Sequence, residues 1–394
     1  MAFGVCMLSS KFYARSDMGG GLERSARRLF GELLAAGWRV FVVTRNYDRL
    51  PSREVIEGVQ VHRLPIWGRS QAMISLSYLV QALVWLIAYR REYQIIHCHQ
   101  SYAPATIAVL AKFLVRKPVV VKISTADAFS ERRELERLPG FRVRRWLLRR
   151  VDRFVVVNRS SFQEFEDLGI ASDRFLYIPN GVLIPPEVAY DPSVCAAARA
   201  RVHLPERRRV AIFVGRLSAE KNLSTLVKAW AEVLRVQPDS RLLLVGDGGT
   251  FRNVEPQLRG QVERLGISAH VRFVGRVPEI LDYLLAADLF VLPSSTEGMS
   301  NALLEAMAAG LAVVATRIPG NLQVIQDGEN GRLVELLDTA ALARAIIELL
   351  GSPDDALRLG QAARQTVAER FAIDRVGQEY LRLYAQLVNG RRAS

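Results

Sequence analysis

Glu297 and Glu305 are the carboxylates of this sequence whose setting could do chemistry. Ahead of them, Leu289 to Leu292 is a short apolar run that reads as a buried parallel strand. Pro293 to Gly298 is turn chemistry, and the sequence predicts a helix from near Ser300, a good N-cap, to just before Gly310, a good C-cap. That helix is apolar almost all round (Ala302, Leu303, Leu304, Ala306, Met307, Ala308), so it should be buried. Glu305 falls one turn after Asn301 on the same face, and Glu297 lies in the loop ahead of the helix. A buried carboxylate needs hydrogen-bond donors. The N–H groups around Met299, Ser300 and Asn301 start a helix, where anions bind readily. The patch, lined also by Gly298 and Leu304, thus offers anion-binding amides between two hydroxyl-binding carboxylates. A diphosphate between two polyols, as in a nucleotide-sugar, would fit it.

A second cluster supports an anion. Val210 to Val214 reads as a strand ending in Gly215-Arg216-Leu217-Ser218-Ala219-Glu220-Lys221-Asn222, followed by a helix to about Val236. Arg216 and Lys221 flank that helix start, where the macrodipole disfavours cations. An anion held between them and the amides explains their placement, with Arg able to grip a phosphate through two donors. Near the N-terminus, Gly19-Gly20-Gly21 separates a first strand (Phe3 to Ser10) from a first helix (about Leu22 to Ala36). It is either a flexible turn or a place where a ligand nears the backbone. It is not a G-x-G-x-x-G fingerprint, and no acidic residue ends the next strand, Arg39 to Thr44. That argues against a dinucleotide site. His99 ends the strand Gln94 to His99 and either meets substrate or is a satisfied polar group. His97 is expected to point to the opposite face as a structural residue. Ser124 and Asp127 follow the strand Val119 to Ile123; Asp127 is an acceptor-side candidate or a plain surface-loop acid.

These residues need a frame to hold them. The chain has 394 residues, half of them hydrophobic, enough for two domains with substantial cores. Strands alternate with helices throughout: Val59 to Leu64, then the helix Met73 to Arg91, and later the helix Ala103 to Val115 and the strand Phe154 to Val157. Further strands are predicted at Arg241 to Val245, Val271 to Val274 and Leu311 to Ala315, with closing helices at 339–351, 354–370 and Val376 to Val388. Such alternation predicts α/β architecture, with doubly wound parallel sheets whose functional residues gather at strand carboxyl ends. The expected division is 1–181, a linker 182–208 rich in proline and with room for one short helix, a second domain 209–372, and a terminal segment 373–394. Cys6, Cys98 and Cys195 are scattered, which suggests neither a disulfide framework nor a metal cluster. Met1 to Leu8 reads as a strand rather than a signal peptide, and Ile74 to Tyr89 is short for a membrane span. A packed crossover helix is expected there, and a cytoplasmic protein.

The formal charge of +13 is uneven. Residues 1–190 hold 28 basic and 17 acidic side chains, a net of +11; the rest hold 25 and 23, a net of +2. Residues 131–153 are the most basic, with Phe141, Val143, Trp146, Leu147 and Val151 interleaved among nine arginines at near-helical spacing. Three readings stand: an amphipathic basic helix on an anionic membrane, a nucleic-acid contact, or a solvated crossover helix. No recognised nucleic-acid module accompanies the charge, and no nucleic-acid partner is expected.

Glu-Gly-Met-Ser-Asn-Ala-Leu-Leu-Glu, from Glu297 to Glu305, resembles the E-x7-E segment of retaining GT-B glycosyltransferases, specifically glycosyltransferase family 4. The stretch from Gly215 to Lys221 is similar to that family's Gly-Arg-Leu-x-x-x-Lys motif, and Gly20 and Gly21 to its Gly-Gly-x-Glu-Arg stretch. The resemblance implies two Rossmann-like domains facing a cleft, an acceptor-binding first half and a donor-binding second half, with the last helix crossing back. It implies that Glu297 contacts the donor sugar, Glu305 binds the ribose, Arg216 and Lys221 hold the diphosphate, and Val274 packs by the base. Many family members place a catalytic His where this sequence has Ser124. The implied reaction is sugar transfer, with retention, from a nucleotide-sugar, expected to be a UDP-sugar, to an acceptor hydroxyl in bacterial polysaccharide or glycolipid synthesis. No metal or other cofactor is expected, and the acceptor is expected to be anionic or lipid-linked, at the cytoplasmic face of the inner membrane. A GT-B-like sugar-nucleotide epimerase and a non-catalytic nucleotide-sugar-binding scaffold are the alternatives.

Overall fold

The computed structural model describes residues 3–10, 12, 21–47, 49–124, 131–138, 140–205, 209–249 and 253–390. The chain divides into two units, one of Met1–Gly181 with Ile373–Ser394, the other of Val182–Ala372.

The first unit is built on an eight-stranded sheet: β1 (Gly4–Leu8), β2 (Arg39–Arg45), β3 (Arg53–Ile56), β4 (Val59–Leu64), β5 (Ile95–His99), β6 (Val119–Ile123), β7 (Arg153–Val156) and β8 (Phe175–Tyr177). Their spatial order is β3-β4-β2-β1-β5-β6-β7-β8, parallel except for the β3–β4 pair. Helices α1 (Gly21–Ala35), α2 (Gln71–Ala88), α3 (Ala103–Val115), α4 (Glu131–Arg137), α5 (Phe141–Leu148) and α6 (Ser160–Glu166) connect them. The central strands are buried on both faces, which is why they read as unbroken apolar runs rather than alternating ones. One face packs Cys6, Leu8, Phe41 and Val43 against Tyr78, Ala82, Trp85 and Leu86 of α2 and against α3 and α5. The other packs Val5, Met7, Val40 and Val42 against α1 and against α15 (Ile373–Gly390), through Val376, Tyr380, Leu383, Tyr384 and Val388.

The second unit carries β9 (Val210–Val214), β10 (Arg241–Val245), β11 (Val271–Gly275), β12 (Leu289–Leu292), β13 (Ala312–Thr316) and β14 (Arg332–Val334). All pair in parallel, in the order β11-β10-β9-β12-β13-β14. Its helices are α7 (Pro192–Arg201), α8 (Leu223–Val236), α9 (Glu255–Arg264), α10 (Leu281–Leu285), α11 (Asn301–Ala308), α12 (Pro319–Leu322), α13 (Thr339–Gly351) and α14 (Pro353–Arg370). Gly246 shows how tightly the strand ends pack: a Cβ there would lie 2.0 Å from the Gly215 carbonyl oxygen.

The short helix expected within 182–208 is α7, and it packs into the second unit, where buried Arg199 donates to the Ala286 carbonyl (3.0 Å) and pairs with Asp288 (2.8 Å). Two expectations need correction. The basic stretch 131–153 is not one helix, because Gly140, at φ +74°, separates α4 from α5. His97 does not point away from His99. Residues two apart on a strand share a face, and the two rings stack at 4.8 Å with an interplanar angle of 13°.

That histidine pair is buried, with His97 Nδ1 2.5 Å from the Tyr384 hydroxyl. Burial, then the charge of nearby Lys122, pulls the His99 imidazole down to about 3 from its ordinary 6.5, and His97 is lowered by burial and by the same neighbours. Between those values the unfolded chain binds protons that the folded chain refuses. The stability is therefore whole above pH 6.5 and drains as pH falls toward 3. Denaturation curves at about pH 7.5 and about pH 5 should show a loss for the wild type on the order of 2 kcal/mol larger than for His99→Leu. Equal losses would mean that His99 is not a buried neutral imidazole.

Candidate active site

In the second unit the strand order turns at β9, whose neighbours are β10 on one side and β12 on the other. Loops leaving the carboxyl ends of strands at such a point diverge and leave room for a ligand. The loop after β9 carries Arg216 and Lys221; the loop after β12 carries Glu297 and the start of α11. The structure joins them. Lys221 Nζ lies 2.6 Å from Glu297 Oε1, which also accepts from the Ser294 hydroxyl at 2.7 Å. The Glu220 carbonyl accepts from the Ser295 N–H (2.9 Å) and hydroxyl (3.1 Å). The side chains of Lys221 and Glu297 are only 16% and 11% exposed, so water screens this pair weakly.

Arg216 is positioned by an element that sequence reading passed over. Its guanidinium reaches Glu220 Oε1 at 3.0 Å while its side chain stays 57% exposed at the rim. The same carboxylate oxygen accepts from the Ser218 hydroxyl at 2.8 Å. Burial alone would raise the Glu220 carboxyl. Its own backbone N–H, the Ser218 hydroxyl and the charges of Arg216 and Lys221 outweigh that and hold it below the ordinary range. Glu220 thus stays an anion that aims Arg216 across the switch point. Its signal in the sequence was a carboxylate directly before Lys221 and four residues after Arg216.

The start of α11 completes the site. Ser300 is its N-cap, with φ −73° and ψ 117°, and its hydroxyl accepts from the Leu303 N–H at 3.3 Å. Leu303, Leu304, Ala306, Met307 and Ala308 are buried, as is Met299, and they fix the helix on the sheet. Asn301 and Glu305 are half-buried one turn apart, and Gly298 is half-buried beside Glu297. Gly320 approaches from the loop after β13; a Cβ there would meet the Glu297 carbonyl oxygen at 2.3 Å. Val274 is half-buried on edge strand β11, two strands from β9.

In the first unit, Gly20 and Asp127 lie outside the described residues, and Gly21 opens α1. His99 is inside rather than at a surface, 3% exposed, and neither ring nitrogen has a hydrogen-bond partner. The Ser124 N–H donates to Glu131 Oε1 (3.0 Å) and the Ser101 N–H and hydroxyl donate to Glu131 Oε2 (2.6 and 2.7 Å). Burial raises the Glu131 carboxyl against these three bonds. Buried Lys122 donates to Asn180 Oδ1 (2.9 Å) and Ser25 Oγ (3.3 Å), and burial lowers it to about 8. Lys122 and Glu131 were not singled out in the sequence, although a lysine inside the apolar run Val119–Ile123 was a readable signal.

Two doubly wound units, the second with cations, a carboxylate and a helix N-terminus gathered at its switch point, make an α/β protein with a place for an anionic ligand. Residues 196–366 match the family described as glycosyl transferases group 1, and residues 19–183 match Glycosyltransferase Family 4. The chain is 32% identical over 302 residues to phosphatidyl-myo-inositol mannosyltransferase of Mycobacterium tuberculosis, covering 74% of each chain. It is 27% identical over 366 residues to the putative glycosyltransferase EpsD of Bacillus subtilis, covering 89% of each. The fold is shared with the Anabaena protein HepE, solved in complex with UDP-glucose (TM-score 0.78, 20% identity, 97% of this chain and 99% of that one). WaaG, a glycosyltransferase involved in lipopolysaccharide biosynthesis, is also similar (TM-score 0.74, 18% identity, 98% and 100%). The chain belongs to the group 1, family 4 glycosyltransferases, and it is a glycosyltransferase of the GT-B fold.

Replacing Glu220 by Ala frees Arg216 and removes the acceptor of a buried hydroxyl. Unfolding should lose about 1–3 kcal/mol by denaturant titration, with Glu220→Gln recovering part of it. No change in midpoint would contradict the anchoring role.

Proposed function

We propose that the protein moves a sugar from a UDP-sugar to a hydroxyl of an anionic or lipid-linked saccharide, with retention at the anomeric carbon and without a metal ion. The observation that carries this reading is the Lys221–Glu297 pair bridging the two switch-point loops beside the start of α11. A diphosphate entering there takes Lys221, Arg216 and the helix N–H groups as its partners. Glu297, released from Lys221, turns to a hydroxyl of the donor sugar, and Glu305 takes the ribose hydroxyls. As the bond from the anomeric carbon to the diphosphate oxygen breaks, the two cations and the helix dipole meet the charge left on the diphosphate. The acceptor oxygen bonds to that carbon on the face the diphosphate leaves, and its proton passes to the departing diphosphate oxygen. Complexes of HepE with UDP-glucose support the choice of donor, and relatives named for glycolipid and lipopolysaccharide synthesis support the acceptor class. Peripheral contact with an anionic membrane, at the cytoplasmic face, belongs to the same reading, and the net charge of +11 on residues 1–190 favours it.

The test is nucleoside diphosphate release from UDP-, GDP- and ADP-sugars in EDTA, with and without a membrane extract, for wild type and Glu297→Ala. Release from the UDP-sugar, stimulated by extract and reduced at least about a hundredfold in the variant, is expected. The anomeric coupling in the product should match that of the donor. An altered donor sugar without a transferred glycoside would indicate an epimerase, and saturable binding without release a scaffold. Activity restored only by added metal would remove the metal-free part of the proposal.

A further inference from the structure

α2 is 18 residues long and has no charged side chain. Its inner side, Tyr78, Ala82, Trp85 and Leu86, is buried against the first unit's sheet. A helix that buries one side in a soluble fold ordinarily turns charged or polar residues outward. Here the outer side carries Met73, Leu76, Val80 and Val84, which are 46–62% exposed. Spacings of three and four residues place them in one stripe, about 16 Å long at the helical rise. The stripe does not end with α2. α3 packs against both α2 and α5 on the same face of the sheet. It adds exposed Phe113 and Leu114, and α5 adds Val143 and Trp146, with the Phe113 and Trp146 rings 6.3 Å apart.

Exposed cations adjoin the helices of this apolar face in the sequence. Arg69 precedes α2, Arg90 and Arg91 follow it, Arg116 follows α3, and Arg142 lies on α5, all exposed. From Gly58 to Ala126 the sequence has eight Lys and Arg against a single acid, Glu92. The arginines of 131–153 are less available than their number suggests. Arg144 donates to Thr106 Oγ1, Arg145 and Arg149 donate to the Leu168 carbonyl, and Arg132 pairs with Glu136 and Asp167.

We infer that the outer face of α2, α3 and α5 is a docking surface for an anionic lipid bilayer, with α2 lying in the interface and its apolar stripe inserted. No described helix is long and apolar enough to cross a membrane, so the contact is lateral. A second copy of the chain is the less favourable occupant. A two-fold interface would set the same cationic rim against itself, whereas phosphate headgroups complement it. The inference deepens the membrane part of the proposed function by moving its centre from the basic stretch to α2. Its test involves no sugar transfer, so the two can fail separately.

The full-length protein would be sedimented with phosphatidylcholine vesicles with and without phosphatidylglycerol. Binding to the anionic vesicles is expected, weakened roughly tenfold or more by Leu76→Asp with Val80→Asp, and far less by neutralising Arg144, Arg145 and Arg149 together. The double variant should keep the circular dichroism spectrum and the unfolding midpoint of the wild type, which shows that it is folded. In the unmodified protein, acyl-brominated phosphatidylglycerol should quench the fluorescence of exposed Trp67 and Trp146, a readout that needs no variant. Absent binding, absent quenching, or binding untouched by the double variant would overturn the inference. So would a concentration-dependent dimer in ultracentrifugation that the double variant abolishes.

Discussion

The second unit depends on one ion pair held at low exposure. Lys221 and Glu297 belong to loops 76 residues apart in sequence, and their 2.6 Å contact closes the point where the strand order turns. A weakly screened pair of this kind is costly to leave half-made, since removal of one partner strands the other charge. It therefore holds both loops in register with α11. The backbone bond from the Ser295 N–H to the Glu220 carbonyl, and the side-chain bonds that Ser218 and Arg216 donate to the Glu220 carboxylate, extend the same frame outward. In the proposed reaction a diphosphate replaces the carboxylate at Lys221 and leaves Glu297 a hydroxyl to accept from. In the structure each group is satisfied by the other.

Sequence made the frame of this site readable and left its wiring obscure. The runs Val210–Val214, Arg241–Val245 and Leu289–Leu292 are strands with the boundaries that their apolar composition predicts, because parallel strands covered on both faces need no alternation. Ser300 caps α11 as its residue type suggests. What sequence could not give is that Glu297 faces Lys221, or that Glu220 serves Arg216, since those partners depend on strand order. A hairpin was missed at Arg53–Ile56, although Glu57 and Gly58, at φ +52° and +82°, form the kind of tight turn that Gly signals. In the proline-rich stretch 182–208, Pro192 opens α7 at its first turn, where proline fits, and so marks the start of the short helix expected there.

The first unit carries its polar groups differently. Lys122, His97, His99 and Glu131 are all buried, and burial opposes the charged form of each. Asn180, one residue before the chain leaves this unit, takes a hydrogen bond from Lys122, and Arg28 donates to the Gly181 carbonyl at 3.3 Å. Buried polar groups thus secure the exit of the chain. The outer face of α2, by contrast, is apolar where a crossover helix would be expected to be wet. A sequence window sees only that α2 is apolar on average; the sheet decides which side of it remains exposed.

The measurement that tests the central claim most directly is a calorimetric titration of UDP into wild type and Lys221→Met. If Lys221 is the diphosphate's main partner, the variant should bind about ten- to a hundredfold more weakly, the loss of one charge-assisted hydrogen bond, with a shallower dependence on salt. Equal affinity and equal salt dependence would place the diphosphate elsewhere, and the Lys221–Glu297 pair would then be a structural clasp.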